Sequence, residues 1–318
     1  MIEGLVTTVI PVHNRPAMLR EAVESVLNQT WRQIEIVIVD DGSTDDTPSV
    51  AADLQCRHPE TIRVLRQDNA GPGPARQRGL EAARGEFVQF LDSDDLLLPD
   101  KCAIQVAGLR SDPDADIAYA KAYVSENGIR LSTPGQRTGE RFRTLFPALL
   151  REPIWPTMTP LYRYTALLRV GPWPRKRQLE DWEYDAQAAA LGLKLHYDEV
   201  FVAETRNHTD TRLCHEWRHD DEALREVASA HMAVCAHACR AGIPYESPEM
   251  CRFARSLFTM ARVTGARGLS SDAKQLLSLA RTIAVSDRWQ LRAFQLASTI
   301  LGWQHASVWA ERVAGRPR

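Results

Sequence analysis

The chain has 318 residues, 44% of them hydrophobic, with 39 lysines and arginines against 41 aspartates and glutamates for a net charge of -2. That length can bury at least one full core and admits two domains, while the balanced charge supplies no field to gather a polyanion, so nucleic acid is not an expected partner. No window approaches the roughly 18 uninterrupted apolar residues of a membrane span, and the N-terminus lacks the basic region, apolar stretch and cleavage site of a secretory signal, so a cytoplasmic address is expected.

Residues 5 to 12 (LVTTVIPV) read as a first strand, followed by Asn14-Arg15-Pro16 and a helical pattern through Leu19, Ala22, Val23, Val26 and Leu27. Ile34 to Val39 form a near-continuous apolar run that stops at Asp40-Asp41-Gly42, and a helix is predicted over 47 to 56. Arg63 to Leu65 give a short third strand and Gly71 to Gly73 a loop. Ala75 to Ala83 give a helix closed by Gly85, and Glu86 to Leu91 a fourth strand that runs into Asp92-Ser93-Asp94-Asp95. This alternation predicts an α/β fold with a mostly parallel, Rossmann-like sheet flanked by helices, with ligands at the carboxyl ends of its strands. From about residue 212 the pattern becomes helical, over 222–240, 249–263, 271–283 and 289–313. The expected division is therefore an α/β domain over 1–214 and a helical C-terminal module over 215–318.

Six cysteines, Cys56, Cys102, Cys214, Cys235, Cys239 and Cys251, are too few for a disulfide framework. His231, Cys235 and Cys239 share one helical face, yet their span of two turns, about 12 Å, is too long for one tetrahedral zinc ion. Buried, reduced residues are expected there instead.

The D-x-D-D cluster at 92–95 gathers carboxylates that repel one another unless a cation or donors neutralise them. A hard divalent ion, Mn²⁺ or Mg²⁺, meets that need with oxygen ligands and can carry a diphosphate. Equally, Asp92 could cap the turn, with Asp94 and Asp95 opening a helix. Gly71, Gly73 and Gly79 do not match the dinucleotide fingerprint, because the third glycine comes too late and the loop does not follow the first strand.

Four segments resemble the family 2 glycosyltransferases of GT-A fold across roughly residues 5 to 210. They are TTVIPVHNRPAMLREAVESVLNQT, IEIVIVDDGSTDDT, DNAGPGPARQRGLEAARGEFVQFLDSDDLLLPDK and RVGPWPRKRQLEDWEYDAQAAALG. The resemblance implies a nucleotide-binding loop at Pro11, Val12, His13 and Arg15, although many relatives carry an aromatic where His13 stands. It implies that Asp41 accepts from the donor's base and that Arg76 lies in the nucleotide site; after that arginine Gln77 replaces the family's usual asparagine. Asp92, Ser93, Asp94 and Asp95 match the region that contacts ribose and metal. Glu180-Asp181 matches the family's acidic pair, with Asp181 as catalytic base. Arg206-Asn207-His208 matches an Arg-x-His element whose histidine can reach the metal or diphosphate.

The resemblance makes 1–214 the catalytic domain, with a nucleotide-binding half to about 100 and an acceptor half over 101–214, and the implied activity is inverting, metal-dependent transfer of a sugar from a nucleotide-diphosphate donor, a UDP-sugar first among them. The acceptor is a hydroxyl of a glycan or lipid-linked glycan, as in bacterial surface polysaccharide assembly. A non-catalytic sugar-nucleotide binder and a sugar-phosphate nucleotidyltransferase are the competing readings. Read without the family, Glu180, Asp181, Glu183 and Asp185 are also what a helix N-terminus favours, and Trp182 suits either a core or a sugar face. Residues 120–180 are expected on the acceptor side, with Trp155 to Met158 as a loop and Trp173 at the mouth. Trp289, Trp303 and Trp309 interleave with Arg288, Arg292, Arg312, Arg316 and Arg318, which suits a peripheral contact with the inner membrane face, a homodimer surface or an ordinary packed helix.

Overall fold

The computed structural model describes residues 1–126, 128–207, 213–285 and 288–307. His208, Trp309, Arg312, Arg316 and Arg318 lie outside them. The chain opens with β1 (Ile2–Val12), α1 (Pro16–Leu27), β2 (Ile34–Asp41), α2 (Thr47–Arg57), β3 (Ile62–Gln67), α3 (Pro72–Ala82) and β4 (Gly85–Phe90). There follow β5 (Leu96–Leu97), α4 (Lys101–Ser111), β6 (Ile117–Glu126), β7 (Ile129–Arg130), β8 (Leu161–Arg163), α5 (Tyr164–Val170), α6 (Glu180–Ala190) and β9 (Leu195–Asn207). The rear of the chain is α7 (Asp221–Arg240), α8 (Pro248–Ala266), α9 (Ser270–Ile283) and α10 (Arg288–Leu301).

One nine-stranded sheet runs β3-β2-β1-β4-β8-β6-β9-β5, with β7 paired to β6. Its first four strands are parallel, which explains their apolar runs: helices cover both faces, so residues such as Ile36 to Val39 are fully buried on either side. β8 then runs antiparallel to both β4 and β6, and β9 pairs parallel to β6. The sheet is therefore mixed in its second half, where the sequence reading offered no strands. Buried polar groups within it are partnered: Thr7 donates to Glu35 at 2.7 Å, and Gln89 donates to Thr8 at 2.8 Å.

Helix α3 begins three residues earlier than the pattern at Ala75 suggests. Gly71 adopts φ 93°, open to glycine at no steric cost, and Pro72 supplies a preset first helical residue that lacks the N–H a helix start leaves unused. Gly79 lets α3 lie against β1, since a Cβ there would come 2.2 Å from Val9 Cγ1.

Helices α7 and α8 are not separate from this layer. Ala228, Val234, Phe253 and Leu257 share one apolar cluster with Trp182 and Tyr184 of α6 and with Val88 and Phe90 of β4. Trp182 settles into that core: its ring meets His231 and Phe253 edge-on at 5.0 and 5.9 Å, and its indole N–H donates to Leu149 O at 3.1 Å. His231 is accordingly buried, with Nδ1 2.8 Å from Val227 O, and Cys235 is fully buried. Cys239 departs from the expectation and is exposed. One turn beyond Cys235, at the end of α7, it has passed the face formed by Val227, His231, Val234 and Ala238. Among the described residues, no helix is long and apolar enough to cross a membrane.

Candidate active site at the switch point of the sheet

Strand order reverses at β1, with β2 on one side and β4 on the other, so a crevice is expected where those strands end. Register places Val12 beside Asp40 and Asp41 beside Gln67, while Leu91 and Asp92 continue β4. Pro11, Val12, His13, Asp41 and Asp92 are thereby gathered at one edge by strand pairing alone.

The Asp41 carboxylate accepts from Gln67 Nε2 at 2.8 Å, Ala70 N at 2.9 Å and Gly71 N at 2.8 Å. It holds the loop ahead of α3, and these donors use three of the roughly four lone-pair sites of a carboxylate. His13 is oriented by Nδ1, 2.8 Å from Asp41 O, and Asn69 Nδ2 lies 3.2 Å from the ring. Asn14, next in line, takes a left-handed φ of 52° and accepts from Thr44 N at 2.8 Å. Arg15 pairs with Asp94, and its backbone N–H donates to Thr47 Oγ1 at 2.9 Å.

Arg76 is the junction. It leaves α3 almost fully buried, 3% exposed, and its guanidinium forks: Nη1 donates to Glu180 and Nη2 to Asp92, each at 2.6 Å. A guanidinium is planar, permanently charged and rigid in its donor geometry, so it fixes the two acidic segments relative to each other. It also lies 4.9 Å from the Trp173 ring, which stacks on Tyr184 at 3.9 Å. The predicted mouth residue Trp173 is thus 4% exposed and serves as a wall behind Arg76. Gln77 fills the place of the family's asparagine by accepting from Trp173 N at 3.0 Å.

Glu180 and Asp181 open α6 immediately after Leu179, a bulky residue at φ 55°. Left-handed backbone at such a residue is strained, and strain of this kind is stored where geometry is functionally demanded. Burial pushes the Glu180 carboxyl up to about 7 although Arg76 opposes the rise. Burial likewise raises Asp181, again with Arg76 opposing. One turn on, Asp185 is raised well above its ordinary range by burial and by the Asp181 charge, and it accepts a hydrogen bond from the Trp155 side chain. Trp155 and Met158, expected on a loop, are 2% and 0% exposed.

In the acidic loop, Ser93 and Asp95 are each 5% exposed, and Asp95 accepts from Arg206 N at 3.0 Å. Arg206 also donates through Nε to Asp94 O at 2.6 Å and pairs with Glu21. The end of β9 is thus stapled to the acidic loop, a role that no local pattern foretold beyond the Arg-x-His spacing. Glu226 of α7 lies outside the sequence reading: its carboxylate accepts from Arg177 N at 2.8 Å and Gln178 N at 3.0 Å, bracing the loop ahead of α6.

The donor set suits Mn²⁺ or Mg²⁺ in one mode. Among the described residues no three His, Cys, Asp or Glu converge into a metal cage. Asp92, however, accepts from Arg76 through Oδ1 alone, and its side chain is 31% exposed, which leaves oxygen surface at the crevice edge. One or two carboxylates completed by ligand phosphates is how Mg²⁺ is commonly held.

A sequence profile of glycosyl transferase family 2 matches residues 7–170, more than half of the chain. EpsH of Bacillus subtilis (strain 168), named as a glycosyltransferase, is 41% identical over 123 residues, 39% of this chain and 36% of that protein. Glycosyltransferase GlyG of Streptococcus pneumoniae serotype 4 is 34% identical over 120 residues, 37% of this chain and 39% of that protein. The chain therefore spans little more than a third of these relatives. Among solved structures, S. aureus TarS 1-349 in complex with UDP superposes with TM-score 0.73 at 18% identity, covering 99% of this chain and 93% of that one. The mannosyltransferase PcManGT from Pyrobaculum calidifontis, in complex with GDP-Man and Mn²⁺, gives 0.56 at 20% identity over 98% and 88%. At these identities the likeness establishes the fold, which is GT-A with a helical C-terminal region. The chain belongs to glycosyl transferase family 2.

Proposed function

We propose that the chain transfers a sugar, with inversion, from a nucleotide-diphosphate donor to a hydroxyl of a glycan or lipid-linked glycan acceptor. The observation that carries this reading is the fork of Arg76, which joins Asp92 of the D-x-D loop to Glu180 of the acidic pair. Two acidic segments, 88 residues apart, share one buried cation at the carboxyl ends of the parallel strands. UDP as carrier is supported by the ligand named for TarS, and GDP remains the competing nucleotide through PcManGT.

Asp181 is the proposed base. As the acceptor oxygen attacks the anomeric carbon, the Asp181 carboxylate removes its proton, and the bond from that carbon to the diphosphate oxygen breaks with its electron pair. Such assistance contributes about 10² to 10⁴ in rate, and a carboxyl raised by burial is a better base than one in water. Glu180, held by Arg76, fixes the start of α6 and thereby the placement of Asp181. Pro11, Val12, His13, Arg15, Asp41, Arg76, Asp92 and Ser93 form the proposed donor site. Asp92 and Asp94, ahead of Asp95 in its bond to Arg206, are the proposed holders of Mn²⁺ or Mg²⁺. When bound, the ion would neutralise charge on the leaving diphosphate. The division into 1–214 and 215–318 stands as part of the same proposal.

The test is thermal stabilisation by UDP, GDP, dTDP and CDP with Mn²⁺, on wild type and on Asp94→Ala/Asp95→Ala. One nucleotide should raise Tm, by an amount that grows with the logarithm of its concentration, and the double variant should lose the shift. No shift with any nucleotide would overturn the donor-site reading.

A further inference from the structure

Helix α10 is apolar on two opposite faces. Leu291, Phe294 and Ser298 turn inward, 5%, 1% and 8% exposed, and Phe294 packs edge-on against Phe258 at 4.9 Å. Trp289, Leu296 and Ile300 point the other way, 63%, 63% and 70% exposed. At about 100° per residue these three positions fall within about 40° of one another, so they form a single stripe along the helix. Exposed aromatic and aliphatic residues aligned in this way mark a docking surface rather than scattered surface apolarity.

Beside the stripe a groove of about 220 Å³ is lined by Ser278, Arg281, Thr282 and Arg292. Two guanidiniums and the Ser278 hydroxyl are donors suited to a phosphate, while Thr282 spends its hydroxyl hydrogen on Ser278 O at 3.0 Å. Neither arginine is ion-paired to an acid among the described residues, and Arg281 instead pairs with the neutral amide of Gln295. Between residues 273 and 307 the sequence holds four cations, Lys274, Arg281, Arg288 and Arg292, and one acid, Asp287.

We infer that the outer face of α10 and the adjoining groove dock on an anionic phospholipid surface, with Trp289, Leu296 and Ile300 entering the acyl boundary and Arg281 and Arg292 meeting headgroup phosphates. Charge decides between this and a second copy of the chain. In a twofold contact the face meets itself, and α10 carries no acid to answer Arg292 on the facing copy. An anionic bilayer supplies the missing negative charge and takes up the tryptophan at its interface. The proposal does not depend on sugar transfer.

The experiment is flotation of the full chain with vesicles of phosphatidylglycerol and phosphatidylcholine, and with phosphatidylcholine alone, beside its molar mass in solution. The chain should float with the anionic vesicles and be released by salt. Trp289→Ser/Leu296→Ser/Ile300→Ser should reduce flotation by about tenfold or more, and Arg281→Gln/Arg292→Gln by about tenfold on anionic vesicles only. Unchanged Tm and unchanged nucleotide response would confirm that both variants fold. Equal flotation by wild type and both variants, or none by any, overturns the inference. So does a wild-type dimer that the serine variant converts to monomer without any vesicle binding, which would assign the stripe to a second copy.

Discussion

The parallel half of the sheet and the rear helices solve burial differently. Strands β1 and β2 are covered on both faces, their interior polar groups Thr7 and Glu35 bond to each other, and Asp41 stands at the carboxyl end of β2 as Asp92 does beyond β4. Helices α7 to α10 each bury one stripe, and α7 and α8 spend theirs on α6, the element that carries Glu180 and Asp181. On the proposed function the front layer supplies the donor site, while α7 and α8 pack behind the acidic pair. Among the described residues of these four helices, only α10 keeps a second apolar face outward.

The largest expected effect falls at the front. Asp181→Asn removes the base but keeps shape and burial, so transfer should fall by about 10² to 10⁴ with nucleotide stabilisation retained, checked by steady-state turnover alongside a thermal shift. Equal turnover would place the chemistry elsewhere.

Stability comes next, and it separates the two regions. Arg76→Met strands Asp92 and Glu180 beside each other and should cost about 3 to 5 kcal/mol by denaturant titration, together with nucleotide binding. Phe253→Ala, in α8, should cost a similar 3 to 5 kcal/mol through cavity formation. Because Trp182 rests on Phe253, turnover should fall more than nucleotide affinity does. If Phe253→Ala leaves turnover untouched, the rear helices do not position the acidic pair.

A smaller effect probes the same link. Glu226→Gln replaces a carboxylate that accepts from Arg177 N and Gln178 N by a weaker neutral acceptor, at about 1 kcal/mol or less. The last test is a slope. Glu180, raised in the folded state from 4.5 to about 7, binds its proton more tightly there than when unfolded. It therefore withdraws stability as pH rises through that window, and the full cost is present above it. In Glu180→Gln, Tm plotted against pH from 4.5 to 7 should decline less steeply than in wild type.

Strands β1 and β2 were readable because burial on both faces writes near-continuous β-branched runs, and β3 and β4 from their place between helical patterns. Strand β6 alternates alanine with larger residues (IAYAKAY), β8 has three residues, and β9 pairs with β6 from far along the chain with two register shifts. Nothing local distinguishes those segments from loop or helix. The candidate site divides in the same way. Asp41, Asp92 and Glu180 stood in recognisable motifs, but the Arg76 fork, the Arg206 staple, the Glu226 brace and the Trp155–Asp185 contact join residues distant in sequence. Cys239 was misjudged because helical spacing gives a face without telling where the covering neighbour ends.

The central claim is that the crevice holds a nucleotide-sugar and that Asp181 activates its acceptor. The most direct test is release of UDP from a panel of UDP-sugars with Mn²⁺, by wild type and by Asp181→Asn, each first verified to be stabilised by UDP. The account predicts release from one sugar by wild type and a fall of about 10² to 10⁴ in the variant. Undiminished release by Asp181→Asn while it still binds UDP would contradict it.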